Sequence, residues 1–179
     1  VELAEGIAIP EREHRRTVVN SACGVCGKTA AEDIARRSQF SQLSDELSVS
    51  ATAMSTMPHA LRQGQRAFDS TGGLHAAALF TADGALLVLR EDVGRHNAVD
   101  KVLGWAVRED RLPLSDTVLI VSSRASFELV QKAAMAGVPI LGAVSAPSSL
   151  AVDLANETGM TLLGFLRGES MNVYTHPDR

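Results

Sequence analysis

The chain has 179 residues, 45% apolar, 21% charged and 4% aromatic, with a net charge of −4. These proportions exclude a wholly disordered chain, and the acidic balance excludes a general nucleic-acid binder while leaving room for a local anion pocket. No apolar run approaches the roughly 18–20 residues of a membrane span, and the acidic start Val1-Glu2-Leu3-Ala4-Glu5 is unlike a secretory signal.

Composition shifts near residue 50. Residues 1–48 read as a polar arm with one short strand (Thr17-Val18-Val19) and one short helix, ahead of a core domain over 49–179. Helical spacing runs from Ala51 to Phe68, with Pro58 fitting the first turn of its second half. Leu74–Thr81 and Ala85–Arg90 are apolar runs joined by the hairpin signal Asp83-Gly84. Asn97–Glu109 is amphipathic, with Ala98, Val102, Trp105 and Ala106 on one face. Val118–Val121 predicts a strand, Phe127–Ala136 a helix stopped by Gly137, and Val138–Val144 a further strand. Pro147–Glu157 predicts a helix with Pro at its start and Gly159 past its end; Met160–Leu166 and Met171–Tyr174 are closing strands. Strands alternating with helices imply right-handed crossovers and a largely parallel sheet, which the hairpin makes mixed. The predicted fold is a three-layer α/β domain.

Sites in such sheets form where strands end and helix N-termini begin. Three junctions are expected on one edge: Ser122-Ser123-Arg124, Ser145-Ala146-Pro147-Ser148 and Phe165-Leu166-Arg167-Gly168-Glu169. Arginines, hydroxyls and free helix N–H groups there suit an anion. A fourth junction, Asp92-Val93-Gly94-Arg95-His96-Asn97, crowds Arg95, His96 and Asn97 into a first helical turn, where phosphate is favoured. Asp100, four residues after His96, is placed to orient its imidazole. The plain alternative has Asp92 capping the helix beside solvated surface; three further polar strand ends weigh against it. Gly72-Gly73 permits close backbone approach to a ligand or forms only a turn. His75, followed by Ala76, Ala77 and Ala78, reads on its own as a core histidine.

The two cysteines share one window, Cys23-Gly24-Val25-Cys26. Zinc needs about four ligands, and neither a second cysteine pair nor metal spacing among His14, His59, His75, His96 and His176 supplies them. A redox couple has the right spacing, but thioredoxin-like proteins set it at a strand-to-helix junction, whereas this pair lies in the polar arm. Lys28, Arg15 and Arg16 favour the thiolate, and a thiolate on an arm suits sulfur delivery to a distant pocket.

Cys23-Gly24-Val25-Cys26-Gly27-Lys28, Thr71-Gly72-Gly73-Leu74-His75-Ala76-Ala77 and Glu91-Asp92-Val93-Gly94-Arg95-His96-Asn97-Ala98-Val99-Asp100-Lys101 resemble the FdhD family of formate dehydrogenase accessory proteins, as does the ending Val173-Tyr174-Thr175-His176-Pro177. The resemblance implies a cytidine deaminase-like fold and a sulfurtransferase; two cysteines, too few for a disulfide scaffold, make a reducing cytoplasm the expected compartment. Such a protein takes persulfide sulfur from a cysteine desulfurase and passes it to the molybdenum cofactor, Mo-bis-molybdopterin guanine dinucleotide, before that cofactor enters formate dehydrogenase. By position, Cys23 holds the persulfide and Cys26 assists, though the spacing does not order them. Phe165, Leu166, Arg167, Gly168, Glu169 and Ser170 fall where the family binds the guanine-dinucleotide cofactor; His75, Arg95, His96, Asn97 and Asp100 are further candidates to bind it. A GDP-like nucleotide would occupy the same pocket, and a homodimer is implied. The family carries a longer segment before its cysteine motif than the 22 residues here, so residues 1–48 read as a remnant of it. No deaminase zinc site is expected, because His75 lacks a glutamate two residues on and no cysteine follows Cys26. Two competing functions remain at this point: a cofactor-holding chaperone independent of the cysteines, and a thiol–disulfide oxidoreductase.

Overall fold

The computed structural model describes residue 40 and residues 47–179. The predicted strand at Thr17–Val19, the arm's helix, Cys23 and Cys26 lie outside the described residues.

Helix α1 (Ala51–Gly64) starts at Ser50, whose hydroxyl accepts the Ala53 N–H at 3.1 Å. It runs unbroken through Pro58, because Met54, Met57 and Leu61, buried on either side, hold it to the sheet. The expected division at Pro58 is therefore corrected: the break falls at Gln65, and a short helix α2 (Arg66–Thr71) follows. The Glu91 carboxylate accepts the N–H groups of Ala67 at 2.9 Å and Phe68 at 2.8 Å, giving α2 the acceptors its first turn needs.

Strands β1 (His75–Thr81) and β2 (Leu86–Asp92) form the hairpin, with Gly84 at φ +89° in its turn. Then come α3 (Arg95–Arg108), β3 (Thr117–Val121), α4 (Phe127–Met135), β4 (Ile140–Ala143), α5 (Ser149–Glu157), β5 (Thr161–Arg167) and β6 (Ser170–Thr175). Helix α5 begins two residues later than expected: Ser148 caps it, while Pro147 bridges to Ala125. The sheet order is β2-β1-β3-β4-β5-β6. Only β3–β4 and β4–β5 are parallel, which corrects the expectation of a largely parallel sheet. The reason is topological. Helix α3 carries the chain across β1, so β3 lies parallel to β2 and antiparallel to the β1 between them; a tight turn folds β6 back on β5.

Strand residues alternate between two cores. Ala77, Leu79, Leu119, Val121 and Leu141 face α3, α4 and α5, while Ala78, Phe80, Val118, Ile120 and Ile140 face α1. The result is helices, sheet, helix: three layers, as predicted. Each large side chain so buried contributes about 1.5–3 kcal/mol. The final stretch serves this packing: Thr175 Oγ1 donates to Met160 O at 2.6 Å, and Thr161 Oγ1 to His176 O at 2.7 Å.

Candidate functional site

The register brings the polar junctions to one edge of the sheet. His75 at the start of β1 lies opposite Asp92 at the end of β2, and Ala77 lies opposite Val121 at the end of β3. Ser122 ties β1 to β3 twice, donating its N–H to Ala76 O at 2.9 Å and accepting the Ala76 N–H on Oγ at 2.8 Å. Strands β4 and β5 run parallel to β3, so Ser145 and Arg167 end on the same rim, where β6 begins. His75 is half-buried at the sheet's end rather than inside the core.

Two helices open on this rim without a side-chain cap among the described residues: α3 behind Gly94 and α4 behind Ser126. Their first-turn N–H groups are donors facing the edge where an anion would sit. His96 joins the two turns, with Nε2 at 3.3 Å from Ser126 Oγ and 3.7 Å from Glu128 Oε2. Arg95 adds a buried Nε with no hydrogen-bond partner among the described residues. A buried donor left open is costly and marks a place for an acceptor. Arg124 is exposed on the β3–α4 loop, and Arg167 Nε donates to Val144 O at 3.3 Å.

The turn that presents Arg95 and His96 is fixed from below. Asp92 accepts Gly94 N–H at 2.9 Å, Asn97 Nδ2 at 3.1 Å and Lys101 Nζ at 2.6 Å. The Lys101 ammonium first, then the Gly94 and Asn97 donors, hold its carboxyl down to about 2. Asp92 therefore organises the turn rather than capping the helix, whose N-cap is Gly94. The expected Asp100–His96 pairing is corrected as well: Asp100 Oδ1 takes Lys132 Nζ at 2.5 Å, because Lys132 of α4 reaches across to α3.

The β5–β6 segment is bent where a ligand loop would be. Phe165 adopts φ +53°, is 39% exposed and donates its N–H to Ser145 O at 3.3 Å. An aromatic residue in the left-handed region is uncommon and strained. A Cβ at Gly164 would stand 2.8 Å from Pro147 Cδ and 3.0 Å from Tyr174 Cε2, so only glycine lets these loops close up. Arg167, Gly168, Glu169 and Ser170 are exposed, whereas the Leu166 side chain is fully buried against α1, leaving only its backbone for a ligand. Asn97 is exposed beside Arg95 and His96. Sequence reasoning missed Ser126 and Glu128; the polar pair opening a helix after β3 was the available signal. Among the described residues, no cluster of three or more metal-binding side chains occurs, and no helix is long and apolar enough to cross a membrane.

A family model described as the FdhD/NarQ family matches residues 1–179. A protein of Mycolicibacterium paratuberculosis named sulfur carrier protein FdhD is 61% identical over 180 residues, covering 100% of this chain and 66% of that protein. Proteins of the same name from Streptomyces coelicolor (58% identical, 100% of this chain, 64% of that one) and Sulfolobus acidocaldarius (47%, 93% and 64%) are also similar. The chain thus spans just under two thirds of the length of these relatives. Among solved structures, a crystal structure described as a formate dehydrogenase accessory protein from Desulfotalea psychrophila matches with TM-score 0.72 and 29% identity, over 83% of this chain and 62% of the other.

Proposed function

Because the chain belongs to the FdhD/NarQ family, we propose that it is the cofactor-facing part of a sulfur carrier, on a cytidine deaminase-like scaffold, that matures formate dehydrogenase. Its substrates are the persulfide of a cysteine desulfurase and the molybdenum cofactor in its bis-molybdopterin guanine dinucleotide form. The observation that carries this reading is the rim itself: two uncapped helix N-termini, the open Arg95 Nε, and Arg124 and Arg167 on the same edge. That donor set fits the diphosphate of a guanine dinucleotide.

In the proposed reaction the Cys23 thiolate attacks the outer sulfur of the donor's persulfide. The donor S–S bond breaks, the donor cysteine leaves as thiolate, and Cys23 carries the persulfide. Attack of the Cys26 thiolate on the inner sulfur then forms a Cys23–Cys26 disulfide and expels the outer sulfur as sulfide for the cofactor. Two thiols are oxidised and one sulfur reduced; a cellular thiol reductant restores the pair, which suits the cytoplasm. The protein acts as a homodimer and hands the cofactor to formate dehydrogenase.

The test pairs two measurements. Incubation with a cysteine desulfurase and cysteine should add about 32 Da, one sulfur atom, to the chain, and Cys23→Ala with Cys26→Ala should abolish the adduct while GDP binding persists. If the double variant still moves labelled sulfur, the relay is wrong. If it restores formate dehydrogenase activity without moving sulfur, the protein holds the cofactor as a chaperone.

A further inference from the structure

We propose that Glu128 reads the donor edge of a 2-amino-4-oxo-pyrimidine ring, the edge that guanine and a pterin share; this rests on the anion-rim reading above. A carboxylate is out of place in a phosphate site, which it would repel. The neighbouring acids are engaged: Asp92 by Lys101, Asp100 by Lys132, and Glu91 by the N–H groups of α2. Glu169, also at this edge, lies on the exposed β5–β6 turn.

Glu128 differs from all of these. Its side chain is only 18% exposed; its one ion-pair contact within 4 Å among the described residues is with His96, at 3.7 Å, beyond hydrogen-bond length, and Lys132, one turn on, is held by Asp100. A carboxylate so sheltered favours fixed donors, and a planar ring offering N–H and NH2 side by side supplies two. A favourable position in the first turn of α4 explains why the charge is tolerated, but not why it is sheltered and open. Glu128 also lines a groove of about 510 Å³ between α3 and α4 whose other walls include Leu103, Gln131 and Met135. Besides Gln131 and Lys132, whose ammonium is taken by Asp100, its walls are apolar, and apolar walls beside a carboxylate suit a flat heteroaromatic ring, while phosphates stay with Arg95 and the helix N-termini.

The probes are GDP, IDP (which lacks the 2-amino group), ADP, and pterin against lumazine, its 2-oxo counterpart, each titrated calorimetrically into the chain. Wild type should bind GDP about tenfold more tightly than IDP, or pterin more tightly than lumazine by a similar factor, and Glu128→Gln and Glu128→Ala should bring that ratio towards one. Loss of the GDP/IDP ratio assigns the edge to guanine; loss of the pterin/lumazine ratio assigns it to the pterin. ADP, which lacks the edge altogether, should bind both variants at least as well as wild type. If both ratios survive in both variants, or wild type shows neither, Glu128 is not the reader even though the nucleotides bind. If wild type binds none of the probes, the rim reading falls and takes this proposal with it.

Discussion

The Lys101 ammonium lies 2.6 Å from the Asp92 carboxylate and 3.0 Å from Glu91 O, tying the second turn of α3 to the end of β2. Between these anchors hang Arg95 and His96, so their aim at the rim depends on residues that do not themselves face it. Lys101→Met should speed amide exchange at residues 94–97 and weaken GDP binding, and Lys101→Arg should largely restore both. Unchanged exchange in Lys101→Met would show that the turn holds without the pair.

Asp92 also sets a pH dependence. Its folded carboxyl titrates near 2, against an ordinary value of 3.8. A depressed folded value means that its contribution to stability is complete about one unit above the ordinary value, from about pH 5, and disappears as pH falls through about 4 towards about 2. The difference in urea stability between the wild type and Asp92→Asn should accordingly be constant above about pH 5 and shrink below pH ~4. A difference that widens in acid would contradict the assignment.

Arg95→Lys keeps the charge and removes the buried Nε. It should lower GDP affinity by about tenfold, the worth of one charge-assisted hydrogen bond. Thermal stability should not fall, since that Nε has no acceptor among the described residues. Calorimetric titration beside a melting curve separates the two effects.

Gly164→Ala drives a methyl towards Pro147 and Tyr174 and should cost about 1–3 kcal/mol in urea unfolding. The core sets the scale for comparison. Leu119→Ala, fully buried in β3, should cost about 2–5 kcal/mol, whereas Leu86→Ala, 45% exposed on β2, should stay within about 0.5 kcal/mol.

The layers were legible because their signals are local. Asp83-Gly84 announces the hairpin, and the β-rich runs at Val118–Val121 and in the stretch before Val144 announce the central strands. Strand direction was less legible, since whether α3 lands β3 beside β2 or beyond β1 is a matter of packing rather than of any residue in the crossover. The site divided in the same way. Strand-end arginines and serines stand where the chain order places them. Helical spacing, however, set Asp100 beside His96 and took no account of Lys132, which belongs to another helix and lies closer to Asp100 in space. Glu128 escaped notice because its shelter comes from packing of α4 on α3, which its own neighbours in the chain do not encode.

The sheet has a chemical end and a plain one. All four rim junctions follow strand ends on one side, while the Asp83-Gly84 turn projects from the other, near the start of α1, where Thr56 lies beside Gly84. That turn offers an attachment point: an affinity handle or surface tether inserted there would leave every rim group facing the solution. Immobilised in this orientation, the chain would present the nucleotide edge to a flowing partner, and cofactor capture could be followed without touching the residues under test.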